Sequence, residues 1–151
     1  MQFEHIVQVN DPAKNDLPIL TRTQLWQGLV LRAREPNRFL VGLDTYRILE
    51  DNDNYMRRCL ELPGLTVNDE VWLTPEERIE YKITPTQSTP GGTLEMLIEE
   101  PEPHALFVRF KYCSLYLNDM DDALPYDLFA QQAYVATDIE TIAIIRNLSL
   151  N

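Results

Sequence analysis

The chain has 151 residues, 44% of them hydrophobic, with 13 Lys and Arg against 24 Asp and Glu, for a formal net charge of −11. That is one domain's worth of chain (residues 1–151), able to bury roughly two-thirds of its unfolded surface without disulfide or metal staples. The charge excludes nucleic acid, whose binding relies on Lys and Arg at phosphates, and an anionic membrane surface; no apolar run reaches the roughly 18 residues of a spanning helix.

Phe3–Val9 mixes β-branched and apolar residues and predicts a first strand, ended by Asn10-Asp11-Pro12. Thr21 with Gln24 three residues later forms a capping box, and Leu20 with Leu25 a hydrophobic staple. The helix they open carries Leu25, Trp26, Leu29, Val30 and Ala33 on one face and ends before Pro36, with a turn or second helix over Asn37–Leu40. From Gly42 to Leu117 the apolar period becomes two, and turn residues recur every ten to fourteen positions. The strands read Leu43–Glu50, Tyr55–Leu62, Leu65–Leu73, Arg78–Thr84, Thr93–Glu99 and Ala105–Leu117, an antiparallel meander with one apolar face. Asp119, Asp121 and Asp122 precede a long helix, Leu124–Leu148. Its expected apolar face is Phe129, Ala133, Ala136, Ile139, Ala143 and Ile144, with Asp127, Gln131, Asp138 and Thr141 turned away. A curved sheet of about seven strands gripping a helix lined with alanines predicts an apolar ligand cavity between them.

This order of elements resembles the helix-grip fold of the START, birch-pollen-allergen (SRPBCC) superfamily, an α+β fold. The residues Phe3-Glu4-His5, Val9-Asn10-Asp11-Pro12, Leu20-Thr21-Arg22-Thr23-Gln24-Leu25-Trp26-Gln27-Gly28-Leu29, Arg32-Ala33-Arg34-Glu35-Pro36 and Glu99-Glu100-Pro101 further resemble its AtaL-like branch. The resemblance implies a cavity for an apolar or aromatic small molecule, polyketide-like or lipid-like, and no shared catalytic motif. Three functions therefore stay open: a binding protein, a cyclase, dehydratase or isomerase-like enzyme of secondary metabolism, and an oligomeric interaction module without ligand. An exposed sheet edge permits a homodimer.

Eight residues are the candidate cavity set. Arg58 shares its parity with Met56, Leu60 and Leu62, which turns it inward, where it must be paired or anchor a ligand carboxylate or enolate. Glu140 lies about 40° from Ala136 on a helical wheel, so both are expected to face the sheet, with Glu140 a partner for Arg58 or a base. Tyr81, Tyr112 and Tyr116 share inward parities and need partners for their hydroxyls. Trp26 and Phe110 offer ring faces for stacking. His5 and His104 form no ligand cluster with Cys59 or Cys113, and Asp51-Asn52-Asp53-Asn54 lacks the rest of a calcium loop, so no metal is expected. Without G-x-S-x-G, P-loop or G-x-G-x-x-G, no cofactor is expected either. Two distant cysteines and no charged-then-apolar leader at Met1-Gln2-Phe3-Glu4-His5 predict a soluble, cytoplasmic protein with free thiols.

Overall fold

The computed structural model describes residues 2–14, 18–87, 90–114 and 124–149. The order of elements is β1 (Gln2–Gln8), α1 (Arg22–Arg34), a 3₁₀ turn (Pro36–Arg38), β2 (Thr45–Asn52), β3 (Tyr55–Leu62), β4 (Leu65–Thr74), β5 (Arg78–Ile83), β6 (Gly92–Glu102), β7 (Ala105–Ser114) and α2 (Leu124–Ser149). The strands form one curved antiparallel sheet in the order β1-β7-β6-β5-β4-β3-β2. The meander runs from β2 to β7, and β1 lies beside β7. This is the helix-grip arrangement expected from the sequence, with β3 as expected and other element ends shifted by up to three residues; the expected end of the last strand, 115–117, lies outside the described residues. Tyr116 and the acidic residues 119, 121 and 122 fall outside the described residues, as does the side chain of Phe129.

Alternation along the strands builds the inner face. Met56, Val71, Ile79, Met96 and Val108, one from each of β3 to β7, are fully buried. Each such side chain contributes roughly 1.5–3 kcal/mol of transfer free energy. Leu25 and Leu29 of α1 close over them. The capping box that starts α1 is formed: the Gln24 backbone N–H donates to Thr21 Oγ1 at 3.0 Å, and the Thr21 N–H to Gln24 Oε1 at 2.9 Å. The stripe of α1 that is buried is Leu25, Leu29, Arg32 and Ala33, whereas Trp26 and Val30 are half-buried at its flank.

The long helix corrects the expected register. Ala133, Ala136, Ile139 and Glu140 face solvent, and the buried stripe is Asp138, Thr141, Ile142 and Ile145. Two facts explain the rotation. Gly28 brings α1 so close to α2 that a Cβ there would stand 2.4 Å from Cγ2 of the fully buried Ile145. The polar members of the stripe are also satisfied where they are: Thr141 Oγ1 donates back to Thr137 O at 3.0 Å, and Asp138 meets groups from the sheet described below. Near its C-terminal end, Arg146 donates to the carbonyls of Pro18 and Val9, tying α2 to the segment after β1.

Candidate functional site

A cavity of about 210 Å³ lies between the inner face of the sheet and the helices. Leu40, Leu60, Val67, Ile83 and Leu94 supply apolar wall. At its end, Gly92 lets β6 approach β7, since a Cβ there would meet the Cys113 carbonyl oxygen at 2.6 Å. Arg32, Arg58, Tyr81, Tyr112 and Tyr134 bring polar chemistry to the same space.

Arg58 is 3% exposed and faces inward, and the sheet itself supplies its partner. The Pro63-Gly64 turn sets Leu62 opposite Leu65 and therefore Arg58 opposite Asp69. Arg58 donates from Nε to Asp69 Oδ1 at 2.9 Å, from Nη2 to Oδ2 at 2.6 Å and from Nη1 to the Ala33 carbonyl at 2.8 Å. Burial works against the Arg58 charge, but the bonds and charge of Asp69 outweigh it and hold its pKa above the ordinary arginine value. The partner expected on α2, Glu140, is instead on the solvent side of that helix with Ala136.

A second polar centre joins sheet to helix. Tyr112 on β7 donates to Asp138 on α2, its Oη standing 2.9 and 2.7 Å from the two carboxylate oxygens. His5 Nε2 on β1 lies 2.7 Å from Asp138 Oδ2. Asp138 is fully buried, and burial raises its pKa above the ordinary value of 3.8 against the pull of Tyr112 and His5. Burial, followed by the Asp138 charge, pushes the Tyr112 hydroxyl well above the usual phenol range. The Tyr112 ring stacks on Tyr134 with centroids 4.1 Å apart and planes 6° from parallel.

The third centre is incomplete. Tyr81 is 4% exposed, and its hydroxyl has no hydrogen-bond partner among the described residues. Both arginines lie against its ring, Arg58 with Cζ 5.2 Å and Arg32 5.4 Å from the centroid. Arg32 is 9% exposed, and its Nε also lacks a partner among the described residues.

The candidates thus divide. Arg58, Tyr81 and Tyr112 line the cavity. Phe110 does not: it is fully buried in the core with its ring stacked 5.2 Å from His5. Trp26 sits on the outer flank of α1 in a shallow depression with Val30 and Arg34. Tyr116 is among the residues not described. Sequence reasoning missed Arg32, Asp69, Asp138 and His5. Arg32 was signalled by its spacing, seven residues after Leu25 and three after Leu29, on the buried stripe of α1. Asp69 was signalled by the hairpin register.

A wider groove of about 410 Å³ runs over Glu4, Glu95 and Lys111 on the β1–β7–β6 surface, and its lining residues are exposed or half-buried. Among the described residues no cluster of three His, Cys, Asp or Glu is placed to hold a metal ion, and no helix is long and apolar enough to cross a membrane.

The family model described as acetylaranotin biosynthesis cluster protein L (AtaL) matches residues 7–151. No curated protein matches the chain. Among solved structures, the chain is similar to the Zhui aromatase/cyclase from Streptomyces sp. R1128, with 16% identity, a TM-score of 0.68, and 100% of this chain and 96% of that one covered. It is also similar to the di-domain aromatase/cyclase BexL of the BE-7585A biosynthetic pathway, with 14% identity and a TM-score of 0.69, over 97% of this chain and 49% of that one. A third similar structure is Ara h 8.0201, with 12% identity and a TM-score of 0.61, over 99% of this chain and 97% of the other. At these identities the likeness is one of fold.

Proposed function

The chain belongs to the AtaL family, and on that premise we propose that it binds a small, largely apolar aromatic molecule in the cavity between sheet and helices, as a step in secondary metabolism. The observation that carries this reading is the cavity's make-up: aliphatic walls closing on a few polar residues, among them Tyr81, whose hydroxyl is buried without a partner among the described residues. A buried hydroxyl left unpaired is costly, and a ligand oxygen would satisfy it. A volume of about 210 Å³ is below the roughly 300–1,000 Å³ of drug-sized sites, so the fitting occupant has one or two rings. The fold shared with aromatase/cyclases supports a ring-containing ligand by analogy. Native mass spectrometry of the purified protein tests the reading. A retained aromatic compound, or a rise in unfolding temperature with two-ring probes, is expected; an empty protein that no such probe stabilises would sink it.

One observation favours a second reading, an enzyme of the cyclase, dehydratase or isomerase class. Tyr112 presents a hydroxyl in the cavity wall that is held by a buried carboxylate and an imidazole behind it. When Asp138 carries a proton and donates it to the Tyr112 oxygen, the Tyr112 O–H is free to donate to a ligand carbonyl, and the adjacent C–H proton leaves to water as the enol forms. Deuterium exchange at the methyl group of 2-acetonaphthone, followed by NMR, tests it. Acceleration by the native protein and none by Tyr112→Phe is expected; equal rates with and without protein would discard the enzyme reading.

A further inference from the structure

The two arginines of the cavity are not equivalent, and their difference bears on the charge of the ligand. Arg58 is spent. Nε, Nη1 and Nη2 all donate to protein oxygens, and its charge is cancelled by the bidentate carboxylate of Asp69. Arg32 is in the opposite condition. It is nine-tenths buried on the inner stripe of α1, lines the same cavity, and no hydrogen bond or ion pair among the described residues holds it. Its only described contact of this kind is the face of Tyr81. Asp138 senses the Arg32 charge but forms no ion pair with it, and its oxygens already face Tyr112 and His5. An unpaired buried cation is costly to a fold, and the π-face of one tyrosine offsets only part of that cost.

We propose that Arg32 and Tyr81 form an anion subsite and that the ligand of this cavity is a small aromatic carboxylate. The inference rests on the ligand-binding reading above and specifies its ligand's charge. Arg32 and Tyr81 both line one cavity, and a donor of each, Arg32 Nε and the Tyr81 hydroxyl, is buried without a partner among the described residues. A carboxylate has about four lone-pair sites, enough to accept from both, and the planar guanidinium edge suits two parallel bonds to it. The aromatic body lies against the aliphatic wall and the stacked pair Tyr112–Tyr134. Arg58, which strand parity alone marks as the anchor, has a structural role in this scheme.

Calorimetric titration of the full chain with 2-naphthoate and with its uncharged isostere 2-naphthamide, at neutral pH, tests the proposal. The native protein is expected to prefer the acid by about tenfold or more, the scale of charge-assisted hydrogen bonds. Arg32→Met keeps the bulk of the side chain and is expected to erase the preference while leaving amide binding in place. Tyr81→Phe is expected to reduce it severalfold. Equal binding of acid and amide by the native protein overturns the anion subsite and leaves the cavity reading standing, and it needs no variant to fold. Binding of neither probe overturns both. A preference that survives unchanged in a folded Arg32→Met protein also overturns the assignment.

Discussion

Asp69 and Asp138 are both buried carboxylates on the inner side of the molecule, yet they are held by different means. Asp69 sits on β4 directly across from its partner on β3 and receives a guanidinium through two short bonds. Asp138 sits on α2 and receives a hydroxyl and an imidazole from β7 and β1, the imidazole from a residue 133 positions away. The first is a local pair that reinforces a hairpin. The second is a long-range junction that fixes how a helix is turned against a sheet. Charge balance follows from this: the hairpin pair is complete in itself, whereas the junction leaves its carboxylate with a raised pKa.

The sharpest way to break the comparison is to strip Asp69 of its cation. Arg58→Met is expected to cost about 3–5 kcal/mol, because the other charge remains buried and unpaired. Combining it with Asp69→Leu is expected to recover most of that loss, as replacing a whole buried pair by apolar groups does. Chemical denaturation of the two proteins reads both values. A single variant no less stable than the double one would show that Asp69 is not held as described.

The steric base of the junction comes next. Gly28→Ala places a methyl group against Ile145 and is expected to cost about 1–3 kcal/mol, the usual scale of overpacking. Ile145→Ala removes both γ-carbons that the methyl would meet, so Gly28→Ala should cost much less in that background, measured by the same unfolding curves.

At the junction itself, Tyr112→Phe removes a bond to a buried carboxylate and is expected to cost roughly 1.5–3 kcal/mol. The pH dependence reports on this carboxylate. The folded pKa of Asp138 is raised above its ordinary 3.8, so the folded protein binds the proton more tightly than the unfolded chain. The stability this gives is present below the ordinary value and is lost as pH rises through the raised one. Stability of the native protein relative to Asp138→Asn should therefore fall with increasing pH across that window. The carboxyls of Glu99 and Glu100, held low by Arg109 and by the His104 backbone N–H respectively, behave oppositely but cancel between the two proteins. A difference that stays flat or rises with pH would contradict the junction.

The smallest effect belongs to an exposed counterpart. Tyr55 donates to Glu70 at 2.7 Å on the outer face, which pushes its pKa up to about 12. Glu70→Gln is expected to bring Tyr55 back toward 10 in an NMR titration, with no measurable change in unfolding midpoint.

The same contrast explains what could be read from the sequence. Strand alternation and turn residues show the meander, and the Pro63-Gly64 turn fixes Arg58 opposite Asp69 by register alone. Local patterns suffice for local pairs. The orientation of α2 was not legible, because its buried stripe contains Asp138 and Thr141 while alanines and Ile139 face solvent. Hydrophobic periodicity assigns a buried aspartate to the outside unless its partners are known, and here they come from the opposite end of the chain. Arg32 was hidden for a related reason: its spacing placed it on the inner stripe, but its charge argued for the surface.

The third hydrogen bond of Arg58 has a mechanical meaning. Its acceptor, the Ala33 carbonyl, is one of the last four in α1, which the helix itself leaves open. Ala33 adjoins Arg32, so the hairpin clamps the helix one residue from the unpaired cation. Substitutions at Arg58 or Asp69 would then blur the aim of Arg32 without touching it. Anyone altering this pocket to accept a differently charged guest has reason to leave the hairpin pair untouched and vary Arg32 alone.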